Sequence, residues 1–485
     1  MPKIMSPADT STTGPVELTV CAPTLHEAEF VAQVFKSQGM TLGHQCKVRY
    51  GIRYNAVEIV IKGKVSSDDN SMPITTLLAT SNPAVLHGIG VSPLDSTQKH
   101  SLAYLCPNTG DGSGIAIPLS VAAPFRTRPP WREYAMLLGL PHESGTIAAE
   151  CDCEGVRTLL CGIDLLALLD YSLLGSLKSD CRPDDWAEAF CTYASQSLAT
   201  HAWIDELFEF LISWMFMSGC SHRHSLGCLL ITGDSDDASP SQLDAYFRRL
   251  NSLQLHGCVL IKDFDRYSTR QLREAGQQGH CFGIHPYAED GTTPTFVNKF
   301  HNLEQSYRAV FDEPIYAVRS HRFQRIERGT TYQLARDAGV LFDFNCVAAS
   351  GKTWCGTACG IGTPLPFPPL DSRFSVLPLH LPTVIEDDVF LFEYGYCYRA
   401  FASGDRLPID CALNFLDDWV LCCDKPAVIN VHPEHVETHN NHLFEGILEW
   451  CERNRSRMCG LRAFAKQLGL QAASPGEPRL DMDST

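Results

Sequence analysis

Leu229-Leu230-Ile231-Thr232-Gly233-Asp234-Ser235-Asp236-Asp237 decides how this chain is read: an apolar run of strand type stops on three carboxylates within four positions. Clustered like charges repel and must be hydrated or neutralised, so a buried strand rarely ends this way for stability alone. A divalent cation is the usual neutraliser, and alternate residues at a strand tip can aim two carboxylates at one point. An acidic turn also fits, because Asp and Ser are good turn and N-cap residues. A helical pattern follows from Ser241.

Beyond this stretch the chain keeps the same texture. Short apolar runs at Leu229–Thr232, Gly257–Ile261, Phe282–His285, Ala317–Ser320, Val340–Phe344 and Val428–Val431 alternate with helix-like stretches. Strand–helix alternation at about 25 to 40 residues per unit predicts a parallel α/β sheet or barrel. In such barrels the catalytic groups sit at the carboxyl ends of the strands. Here those ends carry Asp234, Asp236 and Asp237, His285 with Glu289, Arg319 with His321, Asp343, and His432 with His435.

Each cluster has a functional and a structural interpretation. His285 closes Cys281-Phe282-Gly283-Ile284, and Pro286 stops the ladder. With Glu289 four positions on, His285 can chelate one ion if the segment after Pro286 is a helical turn; otherwise it is a loop histidine with local hydrogen bonds. His280, next to Gly279, belongs to the turn into that strand. Arg319 at a strand tip can hold a carboxylate through a bidentate pair or stabilise developing negative charge, or it is a surface arginine. Asp343, between Phe342 and Phe344, demands a partner that a catalytic His or Arg would supply. His432 ends Ala427-Val428-Ile429-Asn430-Val431 and precedes Pro433, which makes it a candidate general acid.

The remainder of the chain sets the frame. At 485 residues it is long for one domain, and two or three are expected. Residues 1–15 and 472–485 are rich in Ser, Thr, Pro, Gly and Asp and are expected to be disordered. Residues 16–130 alternate strand-like and helical pieces and predict a smaller α+β domain, 131–225 a helical bridging segment, and 226–471 the barrel. A net charge of -17 argues against a non-specific nucleic-acid or anionic-membrane surface. The apolar windows Leu159–Leu177 and Ala202–Met217 carry Asp164, Asp170, Asp205, Glu206 and Glu209, so no membrane span is expected. No basic segment followed by an apolar one opens the chain, which predicts a cytoplasmic protein. The 21 cysteines include no Cys-x-x-Cys pair; the closest are Cys151/Cys153, Cys355/Cys359 and Cys422/Cys423, so reduced core thiols are expected.

The order of these clusters resembles the polysaccharide deacetylase family, the NodB-homology proteins. That family has an Asp-bearing strand end, a Gly-x-His motif, an Arg motif, an Asp motif and a final His strand end. The interval from Asp234 to His285 is 285 − 234 = 51 positions, close to the family's. Arg319-Ser320-His321-Arg322-Phe323, and Ala338-Gly339-Val340-Leu341-Phe342-Asp343 followed by Cys359, Pro364 and Pro366-Phe367, are similar to a bacterial branch with an uncharacterised N-terminal domain.

The resemblance implies a distorted (β/α)7 barrel holding one divalent metal, usually zinc, and hydrolysis of acetyl groups on an N- or O-acetylated carbohydrate. Carried over residue by residue, it makes Asp234 the base that activates water, and Asp236, His285 and Glu289 the metal ligands. Arg319 would hold the base, Asp343 would pair with the acid, and His432 would protonate the leaving amine. Three positions depart from the usual motifs: Ser235 separates the two aspartates, Glu289 stands in place of a second His, and His321 stands where many members have Pro. A barrel that binds glycan or a partner without turnover, and an amidohydrolase acting on a small non-sugar amide, are the competing expectations.

Overall fold

A computed structural model of the protein describes, with short interruptions, residues 13–169, Leu207 and Leu211, and residues 226–470 except 346–377 (save Pro366) and 388–408. The described residues fall into two compact units, one on either side of residue 225. Cys355, Cys359 and the Pro-rich Thr363–Asp371 (save Pro366) lie outside the described residues, as do nearly all of 170–225 and the ends 1–12 and 471–485.

The first unit is dominated by one eleven-stranded sheet. Its strands are β1 (Thr13–Ala22), β2 (Lys47–Ile52), β3 (Val57–Val65), β4 (Ile74–Ala79), β5 (Ser92–Pro93), β6 (Leu102–Pro107), β7 (Ile115–Pro118), β8 (Phe125–Arg126), β9 (Arg132–Leu138), β10 (Gly145–Cys153) and β11 (Val156–Cys161). The main path is β2-β1-β3-β4-β11-β10-β9-β6-β7; β1 with β2 and β4 with β11 run parallel, the other pairings antiparallel. Ala56, Leu78, Leu86, Phe125, Ala149 and Leu160 make a small core against it. Two expectations change here. Thr13–Pro15, assigned to a disordered end, open β1. Arg132–Leu138, Gly145–Cys153 and Val156–Cys161, which fall in the segment assigned to a helical bridge, are β9, β10 and β11. The continuous apolar run at Leu159–Ile163 is compatible with both strand and helix, and sheet pairing decided it.

The second unit is α/β with a wholly parallel sheet. Its strands are β12 (Leu229–Asp234), β13 (Cys258–Ile261), β14 (Cys281–Ile284), β15 (Ala317–Val318), β16 (Phe342–Asp343), β17 (Leu379–His380), β18 (Thr383–Glu386) and β19 (Ala427–Asn430). They lie in the order β17-β16-β15-β14-β13-β12-β19-β18. The two ends of that order, β17 and β18, are joined by Leu381 and Pro382 alone. One chain segment therefore pairs with β16 on one side and β19 on the other, and the sheet curls round on itself. Because every pairing is parallel, all the carboxyl tips come to one rim.

Helices pack on the outside because their apolar stripes have nowhere else to go. The helix Pro240–Ser252 shows how local sequence sets its start. Ser239 accepts from the Gln242 amide, the Gln242 side chain accepts from the Ser239 amide, and Pro240 occupies the first helical position. Leu243, Tyr246, Phe247 and Leu250 then face β12, β13 and β14 within a core that includes Phe282, Phe296, Phe444 and Trp450. Gly283 is required where β14 meets β15: a Cβ there would stand 2.3 Å from the Ala317 carbonyl oxygen. Cys228, Cys258, Cys281 and Cys451 are buried free thiols.

Candidate metal centre

Alternation along β12 turns Thr232 and Asp234 inward, and β19 does the same for Asn430 and His432. Arg319, at the end of β15 and wholly buried, reaches across this interior. Its Nε donates to both Asp234 carboxylate oxygens at 3.1 and 2.9 Å, and its Nη2 donates to Asp234 Oδ1 at 2.9 Å, Asn430 Oδ1 at 2.6 Å and Thr232 Oγ1 at 3.1 Å. Its Nη1 donates to Thr383 Oγ1 at 3.1 Å. Asn430 Nδ2 completes the set with a 3.0 Å bond to Asp234 Oδ2. Burial would raise the Asp234 pKa, but the Arg319 guanidinium outweighs it and holds the carboxyl below its usual range.

Asp236, one turn beyond the strand, meets two imidazoles. His285 Nε2 stands 3.0 Å from Asp236 Oδ1, and His321 Nε2 stands 3.2 Å from Oδ2. The tautomer of His285 follows from its other nitrogen, since Nδ1 lies 2.6 Å from the Arg319 carbonyl and must donate to it. Nε2 is then a bare lone pair facing a carboxylate lone pair. Both atoms are buried, and among the described residues neither has a hydrogen-bond partner. Two acceptors at this distance require a cation, supplied either by a second proton on His285 or by a metal. One carboxylate and two imidazoles, with ligand atoms within 4.8 Å of one another, suit a zinc-type ion.

Glu289 is not part of this group. The chain after His285 is irregular and then turns at Glu289–Asp290 rather than forming a helix, and Glu289 is exposed. Gln324 fixes that course: its Oε1 accepts from the Ala288 amide at 2.7 Å and its Nε2 donates to the Ala288 carbonyl at 2.8 Å. The third position is filled instead by His321, whose amide donates to the Pro286 carbonyl at 3.0 Å. Asp237 faces outward, 3.6 Å from Arg266.

Asp343 does not meet His432 either. It lies 3.2 Å from His380 Nδ1 and accepts from the Asn345 amide and side chain at 2.8 and 2.7 Å. The strand order explains this: the segment carrying β17 and β18 lies between β16 and β19, so Asp343 meets His380 on the near side of that segment and His432 meets Asp387 beyond it. His432 pairs with Asp387, just past β18, at 2.6 Å from Nδ1 to Oδ1. Asp387 Oδ2 accepts from the His432 amide at 2.8 Å and from His435 Nδ1 at 3.0 Å. His432 Nε2 faces the metal-type cluster, 3.8 Å from Asp236 Oδ2. Asp387 escaped the sequence analysis, although Thr383-Val384-Ile385-Glu386-Asp387 is another apolar run ending on carboxylates.

No family model matches the chain, and no curated protein does. Solved structures do. One, assigned as a polysaccharide deacetylase from Mycobacterium smegmatis, is 12% identical, covers 52% of this chain and 96% of its own, and has a TM-score of 0.34. The Streptococcus mutans CE4 esterase is 10% identical over 49% of this chain and 87% of its own, with a TM-score of 0.30. The catalytic domain of the Eubacterium rectale peptidoglycan N-acetylglucosamine deacetylase is 12% identical over 48% and 88%, with a TM-score of 0.29. These three solved structures are described as polysaccharide deacetylases and a CE4 esterase, the family that the motif order resembles, and other matching structures are of a CE4 family pseudoenzyme.

Proposed function

We propose that the protein is a metal-dependent hydrolase of deacetylase type, cleaving an acetyl group from an N- or O-acetylated carbohydrate. The observation that carries this is the pair of buried acceptors, His285 Nε2 and Asp236 Oδ1, facing each other at 3.0 Å with neither hydrogen-bonded to any of the described residues. Asp236, His285 and His321 would hold the ion. Bound there, a divalent cation supplies Lewis acidity and lowers the pKa of water.

The chain's own residues divide the proton work. Asp234, kept ionised by Arg319 and Asn430, is the group to accept a proton as water attacks the acetyl carbon. Its two oxygens are tied to donors, so it is a weak base held in one orientation, useful only against an acidified water. Proton delivery falls to His432, which turns Nε2 to the site because Nδ1 is committed to Asp387. As the carbon–nitrogen bond breaks, Nε2–H passes to the leaving nitrogen and the products are acetate and a free amine. Asp387 stabilises the imidazolium that must form first.

Metal analysis of the purified protein, followed by acetate release from N-acetylhexosamine oligomers with and without chelator, tests the proposal. Acetate release that chelation abolishes and added metal restores is the expected result, with Asp234→Asn inactive. A protein loaded with metal that releases no acetate from any acetylated carbohydrate offered would overturn it.

A further inference from the structure

The tip of β15 carries two functions one residue apart: Arg319 clamps Asp234, and His321 faces Asp236. Ser320, between them, is fully buried, and its amide donates to Asn345 Oδ1 at 2.7 Å. Asn345 is also fully buried. Its side-chain orientation is not free, because Nδ2 must point at the Asp343 carboxylate, 2.7 Å away, and Oδ1 must then face the Ser320 N–H. Asp343 fixes Asn345 a second time by accepting from its backbone amide at 2.8 Å, and itself stands 3.2 Å from His380 Nδ1.

We propose that Asn345, locked by Asp343, is a positioning residue that sets Arg319 and His321 together. The inference rests on the metal reading above for the role of His321, but the clamp itself is a matter of backbone geometry. Arg319 is further held by its own carbonyl, which accepts from His285 Nδ1 at 2.6 Å. The peptide bond between Arg319 and Ser320 is therefore pinned on one side by a candidate ligand and on the other by Asn345, while the His321 backbone is held separately by Pro286 and Gln324. Releasing the Asn345 side leaves a buried N–H without its acceptor and lets the imidazole of His321 swing from Asp236. Asp343, expected to serve the acid, serves the opposite flank of the site.

The test is Asn345→Ala beside Asn345→Ser, whose hydroxyl can still accept from Ser320, in the full chain titrated with Co2+. Loss of an outer-shell partner costs about 10–100-fold in metal affinity. Asn345→Ala should therefore bind Co2+ 10–100-fold more weakly with an altered visible absorption spectrum, and Asn345→Ser should recover part of both. A variant that melts earlier yet keeps wild-type cobalt affinity and spectrum would overturn the clamp, since a merely structural role moves only the melting. If wild-type protein took up no cobalt, the metal reading would fall. Crystal structures would still decide the clamp: His321 displaced from Asp236 in Asn345→Ala supports it, and an unmoved Arg319–His321 segment overturns it.

Discussion

Asp236, His285 and His321 form one group, and Asp387, His432 and His435 form another, each with one carboxylate and two imidazoles. Composition cannot tell them apart; the protons do. In the second group Asp387 meets donors, taking Nδ1–H from both histidines and the His432 amide as well. Nothing further is needed to hold it. In the first group the His285 proton is already committed to the Arg319 carbonyl, leaving two acceptors opposed at 3.0 Å. The same three side chains thus make a self-sufficient proton donor in one place and a cation site in the other.

The largest effect that separates them is metal uptake. Asp236→Asn should lose at least about a hundredfold in affinity for Zn2+ or Co2+, with hydrolysis falling to background, while Asp387→Asn keeps its affinity. Calorimetric titration of both variants checks this, and equal losses would erase the distinction. Next comes turnover: Asp387→Asn should lower kcat about 10²–10⁴-fold with metal fully bound, read from acetate release at saturating substrate. A third buried group, Asp234 with Arg319, is neutral as a pair. Arg319→Met strands a buried carboxylate and should cost about 3–5 kcal/mol in urea unfolding, with Asp234→Asn/Arg319→Met recovering much of it.

His280 extends the comparison to a histidine that needs neither metal nor proton. Its Nδ1 accepts from the Gly257 amide at 3.1 Å, so Nε2 carries the proton and faces Asn251 Oδ1 at 3.2 Å. Burial, and secondarily His256, lower its pKa to about 4. The unfolded chain binds this proton near pH 6.5 and the folded one only near 4, so the stabilisation is complete above about 6.5 and is lost as pH falls toward 4. The loss is on the order of 2–3 kcal/mol. Denaturant midpoints between pH 7 and 4.5 should fall more steeply in wild type than in His280→Gln, and parallel slopes would contradict it. The smallest effect is the plainest: Glu289→Gln should leave metal affinity unchanged.

Much of this site was legible in the sequence. Asp234, Asp236, His285, Arg319 and His432 each follow an apolar run, and a buried strand that stops on a polar group leaves a mark that needs no structure to see. Partnerships were less legible, because they depend on which strands become neighbours. Asp343 was matched to His432 across a sheet whose order puts His380 beside it instead. Glu289 as a ligand needs a helical turn after Pro286, which Gln324 prevents, and His321 was not considered for that place. Yet the clue was present: Glu289 where a histidine is usual, and His321 where a proline is usual, are two departures that together keep the donor set at one carboxylate and two imidazoles. In the first unit, strands β9 to β11 were missed because short apolar runs carry no period that separates strand from helix.

The short link Leu381–Pro382 has a consequence for how the chain can change. Within eight residues, the segment from Leu379 to Glu386, with Asp387 at its end, hands His380 to Asp343, Thr383 to Arg319 and Asp387 to His432. Side chains alternate along extended backbone, so inserting or deleting one residue there would turn each later group to the opposite face. Substitutions elsewhere on the rim can be tested by selection one at a time. A change of length in this stretch would disconnect the flanks of the site in a single event, which makes it the part of the curled sheet least open to gradual modification.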